Sequence, residues 1–83
     1  MKFKPKFTPT FLKETKKLKR DERKELEKVV LRILNNPTRG KPLRYSFKGC
    51  RSERVGRYRV IYEIMKSIVV FHYFEHRKSV YKK

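Results

Sequence analysis

Hydrophobic positions along this chain change period once, from helical spacing in the first half to strict alternation in the second. Phe3 and Phe7 flank Pro5 at even spacing, which predicts a short strand that lies at an edge or breaks there, because proline has no amide to donate. Thr8-Pro9 then reads as an N-cap followed by proline at the first helical position. Phe11, Leu12, Thr15 and Leu18 recur at helical spacing. Arg20-Asp21 interrupts the pattern, and Asp21 is expected to cap a second helix. In that helix Leu26, Val29, Val30, Ile33 and Leu34 form one apolar stripe, opposite Arg23, Lys24, Glu27 and Lys28, and Asn35-Asn36-Pro37 ends it. Short helices do not hold alone, so two apolar stripes in succession predict an antiparallel helical hairpin laid on another layer.

From Leu43 onward the spacing is two. Leu43, Tyr45 and Phe47 alternate with Arg44, Ser46 and Lys48, and Gly49-Cys50 turns into a charged strand from Arg51 to Val55. Gly56-Arg57 turns into Tyr58–Ile64, and Lys66-Ser67 turns into Ile68–Phe74. Three hairpins in a row predict an antiparallel meander. Tyr58, Val60, Tyr62 and Ile64 are expected to face the helices, leaving Arg59, Ile61 and Glu63 on the other side. The last strand is apolar on both faces, with Ile68, Val70 and Phe74 on one and Val69, Phe71 and Tyr73 on the other. That pattern predicts an exposed apolar strip suited to a partner. The fold class expected is α+β, a small antiparallel sheet packed against an N-terminal α-helical hairpin, with residues 1–83 forming a single domain.

Composition adds charge to this picture. Twenty-five Lys and Arg against eight Asp and Glu give +17. Self-repulsion on this scale opposes compaction, and the usual compensating partner is a polyanion, most often a phosphate backbone. An anionic membrane surface or an acidic protein would also fit. Cys50 stands alone, so neither an intramolecular disulfide nor a cysteine metal cluster is expected, in keeping with the reducing cytoplasm. The apolar runs Val29-Val30-Leu31 and Ile68–Phe71 are too short to cross a bilayer, and Met1–Lys6 lacks the apolar core of a signal peptide. A cytoplasmic protein with no membrane, metal or cofactor requirement is the expectation.

Two clusters carry candidate chemistry, Arg54-Val55-Gly56-Arg57-Tyr58-Arg59 and His76-Arg77-Lys78-Ser79-Val80-Tyr81. In a meander these can converge on the open face, so that Arg54, Arg59, Arg77 and Tyr81 surround one concave site. Fixed guanidinium groups suit phosphodiester cleavage by a neighbouring ribose hydroxyl, because the transition state gathers negative charge on the phosphate oxygens. Tyrosine and arginine also stack on exposed bases. Lys48, Arg51, Arg57 and Lys78 are candidate contacts to RNA. The same residues also suit a phosphate-binding surface without chemistry, with Tyr81 packing the tail. His72, in mid-strand, reads as a partly buried core histidine.

Phe7-Thr8-Pro9-Thr10-Phe11, Gly49-Cys50-Arg51, Arg54-Val55-Gly56, Tyr58-Arg59-Val60-Ile61-Tyr62 and His76-Arg77 with Val80-Tyr81 together resemble the RelE/ParE superfamily of bacterial and archaeal toxins. The resemblance spans nearly the whole chain. Its RelE-type branch implies an endoribonuclease (mRNA interferase) that cuts mRNA in the ribosomal A site without metal, leaving a cyclic phosphate and a free hydroxyl. It implies phosphate neutralisation by Arg59, assistance to the leaving oxygen by Arg77, and base stacking or hydroxyl orientation by Tyr81. It further implies a small RelB-like antitoxin, acidic or amphipathic, beside ribosome and mRNA as partners. Relatives place two lysines on the third strand, where this chain has Ser52 and Arg54. Arginine does not deprotonate in proteins, so the general base is either absent or another group. His76 is the candidate, with an exposed loop residue as its alternative. A ParE-like inhibitor of DNA gyrase and a non-catalytic basic RNA-binding module are the competing functions.

Overall fold

The computed structural model describes residues 3–76. Strand β1 (Lys4–Phe7) leads into helix α1 (Pro9–Thr15) and helix α2 (Arg20–Asn35). A 3-10 turn (Pro37–Arg39), strand β2 (Lys41–Pro42) and a second 3-10 turn (Tyr45–Phe47) follow. Strands β3 (Arg51–Val55), β4 (Tyr58–Met65) and β5 (Ile68–His76) complete the described chain. The five strands form one sheet in the order β1-β5-β4-β3-β2. The architecture is the expected α+β, with both helices on one face. The sheet is mixed: β2·β3, β3·β4 and β4·β5 are antiparallel, but β1 lies parallel to β5 at the edge. Pro5 is tolerated there because an edge strand leaves one side of its backbone unpaired.

The core is the apolar stripe of the helices against one face of the sheet. Phe11, Leu26, Val29, Ile33 and Leu34 pack on Val55, Val60, Tyr62, Val69, Phe71 and Phe74, with Tyr58 and Ile64 at its margin. Tyr58, Val60, Tyr62 and Ile64 thus share the helix-facing side as their alternation predicts. The last strand departs from its predicted faces. Tyr62 pairs with Phe71 and Ile61 with Tyr73, so His72 is an extra residue in a β-bulge. One inserted residue inverts the alternation beyond it, so Val69, Phe71 and Phe74 all turn toward the helices. The expected apolar strip of Val69, Phe71 and Tyr73 therefore does not exist. The exposed large apolar side chains instead include Phe7, Leu12 and Leu31, and these line a groove between β1, α1 and α2.

Thr8 anchors the bulge. Its hydroxyl accepts the Phe11 amide at 3.1 Å as the α1 N-cap and donates to the His72 carbonyl at 3.0 Å. Glu14 accepts the Phe74 amide at 2.8 Å, so α1 covers backbone groups that the bulge frees from the ladder. Two other expectations change. The α2 cap is Lys19 rather than Asp21: the Lys19 amide is met by Glu22 at 3.0 Å, and Asp21 with Glu22 places negative charge in the positive first turn. The alternating run Leu43–Phe47 is not a strand. Pairing with β3 falls earlier, at Lys41 and Pro42, and residues 43–50 form a loop closed by Leu43 N–H to Cys50 O at 3.0 Å.

The Pro37–Gly40 stretch before that loop is fixed by Tyr62. The Tyr62 hydroxyl donates to the Pro37 carbonyl at 2.7 Å and accepts the Gly40 amide at 3.1 Å. A Cβ on Gly40 would collide with that hydroxyl, so the close approach requires glycine. Gly49, at φ +93°, makes the turn that leads into Cys50, which lies near Glu63 and His72.

Candidate functional site

Alternation along β4 puts Arg59, Ile61 and Glu63 on the face away from the helices. Direct partners in a sheet share a face, so the register assigns rows of neighbours across three strands. Arg54, Arg59 and Glu75 form one row; Ser52, Ile61 and Tyr73 form the next. The Arg59 guanidinium reaches diagonally to the Ser52 hydroxyl at 3.2 Å. Arg54 is exposed, Arg59 half-buried, and Glu75 and Ser52 are buried. Two guanidinium groups opposite each other repel, and they lie beside a buried carboxylate on the third strand. The Ser52 hydrogen bond and the strand register hold the half-buried Arg59 in place, while Arg54 beside it is exposed to solvent.

The other candidate residues are distributed as follows. His76 is the direct partner of Tyr58, and its ring meets the Tyr58 ring edge-on at 5.8 Å between centroids. It is exposed, but on the helix side of the strand end rather than on the face of Arg59. Arg57 is exposed in the turn next to Arg54, at the same end of the sheet. Lys48 is exposed at the opposite end. Arg51 lies on the helix side, where its guanidinium donates to the carbonyls of Thr38 and Gly40 at 3.0 and 2.9 Å, and so holds the Pro37–Lys41 segment against β3. Arg77, Lys78 and Tyr81 lie outside the described residues.

Sequence reasoning did not find the roles of Ser52 and Glu75 around Arg59. The signal was present for both, since each lies directly across from a β4 residue once the register is fixed. Sequence reasoning read His72 as a partly buried core histidine; it is partly buried, but the bulge turns it against Glu63, with Nε2 and Oε1 3.0 Å apart on the face away from α1 and α2. Cys50 joins this pair from the loop. Burial pushes its thiol pKa up, and the nearby Glu63 carboxylate adds to the rise.

Comparison with known proteins gives one family and one fold. The family model described as the ParE toxin of the type II toxin-antitoxin system, parDE, matches residues 6–81. No curated protein matches the chain. Among solved structures, a chain of the RelBE2 toxin-antitoxin complex from Mycobacterium tuberculosis is 32% identical at a TM-score of 0.74, covering 93% of this chain and 100% of that one. A chain of the RelB-RelE antitoxin-toxin complex from Methanococcus jannaschii is 26% identical at a TM-score of 0.72, covering 93% and 95%. YafQ from E. coli shares the fold at a TM-score of 0.78 with 18% identity, covering 95% and 98%.

Proposed function

This chain belongs to the ParE toxin family of type II toxin-antitoxin systems, within the RelE/ParE superfamily, and from that premise we propose that it is a ribosome-dependent endoribonuclease. The observation that carries this reading is the Arg54–Arg59 pair on the face away from α1 and α2, with Arg59 held by Ser52. Like charges directly opposite on a sheet are destabilising, so the pair has a cost that a polyanionic ligand would offset.

In this mechanism an mRNA phosphate lies against Arg59. The ribose 2′-hydroxyl of the preceding nucleotide attacks phosphorus as the bond to the 5′-oxygen breaks, the hydroxyl's proton passing to water and the leaving 5′-oxygen taking one from water. The products are a cyclic phosphate and a free 5′-hydroxyl. Arg59 stabilises the charge that gathers on the phosphate oxygens, and Arg54 strengthens the field there. Arg77 assists the leaving oxygen and Tyr81 stacks on or orients the nucleotide. The ribosome contributes the in-line geometry that free RNA rarely populates. With His76 on the Tyr58 side, fixed charge and positioning carry most of the acceleration, and no metal enters. Arg57, Lys48 and Lys78 add sequence-independent attraction to RNA in the cytoplasm, where the overall +17 favours docking on the ribosome. A RelB-like antitoxin would neutralise the charge and cover the apolar groove of Phe7, Leu12, Leu26, Val30 and Leu31.

Expression in a bacterial host tests this reading. Wild-type protein is expected to stop translation before DNA synthesis, and Arg59→Ala to relieve the arrest at equal soluble level. Full toxicity of Arg59→Ala would reject the assigned site. A second reading, inhibition of DNA gyrase, is favoured by the ParE description of the matching family. Early loss of DNA synthesis with translation intact would select it.

A further inference from the structure

Cys50, Glu63 and His72 come from three different elements, yet their donor atoms all lie within 4.8 Å of one another. We propose that these three side chains form a binding site for a zinc-like divalent cation, which fastens the Tyr45–Cys50 loop to the face of the sheet away from α1 and α2. The reading is independent of the nuclease proposal, whose chemistry uses no metal.

Three observations support it. The first is the donor set: thiolate, imidazole and carboxylate, with water in the fourth position, is a ligand combination suited to zinc and unlike the all-oxygen shells of magnesium or calcium. The second is the bulge. His72 is the residue without a ladder partner, and the irregularity turns its ring toward Glu63 while its carbonyl is held by Thr8. Bulges commonly re-aim one side chain in this way. The third is access. The His72 and Glu63 side chains are 29% and 37% exposed, which leaves an entry path and room for water.

The fit needs only small movements. A tetrahedral zinc with bonds of about 2.0–2.3 Å holds its donors roughly 3.3–3.6 Å apart. His72 Nε2 and Glu63 Oε1, now 3.0 Å apart, would open by a few tenths of an ångström, and Cys50 Sγ would close on them. The proton balance is simple. The thiol releases its proton to solvent on forming the sulfur–metal bond, and His72 carries its ring proton on Nδ1 while Nε2 binds the cation. Phe47, three residues before Cys50, already packs edge-on against Tyr73 at 5.7 Å, so the loop rests on the face that the cation would pin. The site is four residues along β4 from Arg59, about 13 Å of strand, too far for the cation to touch the same phosphate.

The test uses the reduced full-length protein with cobalt and zinc as probes, and His72→Gln, Glu63→Gln and Cys50→Ser checked for folding by circular dichroism. Wild type is expected to take one equivalent of cobalt with a thiolate-to-cobalt charge-transfer band, which zinc abolishes. Zinc should slow alkylation of Cys50 at least about 10-fold. His72→Gln and Glu63→Gln should each weaken zinc at least about 100-fold in chelator competition, while His76→Gln leaves it unchanged, since losing a direct ligand exceeds the 10–100-fold typical of its supporting shell. Absence of the band in wild type, or equal zinc affinity in wild type and folded His72→Gln, would overturn the site.

Discussion

Arg54 and Arg59 are direct partners across β3 and β4 on the face away from α1 and α2, and Arg59 has Glu75 as its partner on the other side. Two cations and a buried carboxylate share this row, in which like charges oppose stability and which is the proposed phosphate site.

Replacing Arg54 by Gln separates these two properties. The exposed guanidinium is screened by solvent, so stability should stay within about 0.5 kcal/mol of wild type or rise slightly, with any gain shrinking at high salt. RNA cleavage should fall about 10-fold, the scale of 1.4 kcal/mol in transition-state stabilisation. Urea unfolding at two salt concentrations, beside a cleavage assay, measures both. A large loss of stability would mean that Arg54 holds the sheet together instead.

Tyr62→Phe should destabilise the fold by about 1–3 kcal/mol, because it leaves the buried Gly40 amide and the Pro37 carbonyl without their partner. Cleavage per folded molecule should be unchanged, since Tyr62 faces the helices. Denaturant midpoints and activity at equal folded concentration check this.

Burial pushes the Tyr62 pKa above its ordinary value of 10, with the Glu53 carboxylate adding to the rise, and the Gly40 hydrogen bond and Arg51 acting in the opposite sense. The unfolded chain therefore releases this proton at a lower pH than the folded one. The contribution is fully present below pH 10 and is lost as pH rises beyond it. Cys50, raised above 9.0, adds a similar loss from a lower pH. The difference in stability between wild type and Tyr62→Phe should narrow above pH 10, by at most about 1.4 kcal/mol per pH unit. A constant difference across that range would remove the assignment.

Thr8→Val should cost about 1–2 kcal/mol, since the hydroxyl caps α1 and holds the bulge carbonyl of His72. Thr8→Ser should recover most of the loss. Thermal unfolding of both variants distinguishes the hydroxyl from the packing of the methyl group.

The two helices, β3, β4 and the outward direction of Arg59 were all legible in the sequence, because each follows from a period that packing enforces. Three features were not. One extra residue at His72 inverts the faces of β5, and alternation cannot reveal an insertion whose carbonyl is held by Thr8, 64 positions earlier. Leu43–Phe47 alternates like a strand but is too short to set its own structure. The Leu43–Cys50 closure and Phe47 on Tyr73 determine it instead. The parallel pairing of β1 with β5 is a long-range choice, visible only when Phe7 stacks on Phe71 at 5.2 Å. The Cys50, Glu63 and His72 cluster was hidden for the same reason, since it depends on both the loop and the bulge. At the candidate site, Arg59 was legible from alternation alone, whereas Ser52 and Glu75 needed the register. The separation of His76 from Arg59 follows from its pairing with Tyr58, which the sequence does not encode locally.

The most direct test is primer extension on mRNA held in programmed ribosomes, comparing wild type with Arg59→Ala at equal folded concentration. The account predicts cuts confined to the A-site codon, with the rate falling roughly 10²–10³-fold in the variant, the usual loss when one preorganised charge-stabilising donor is removed. Equal cutting by both proteins, or no codon-phased cut by wild type, would contradict it.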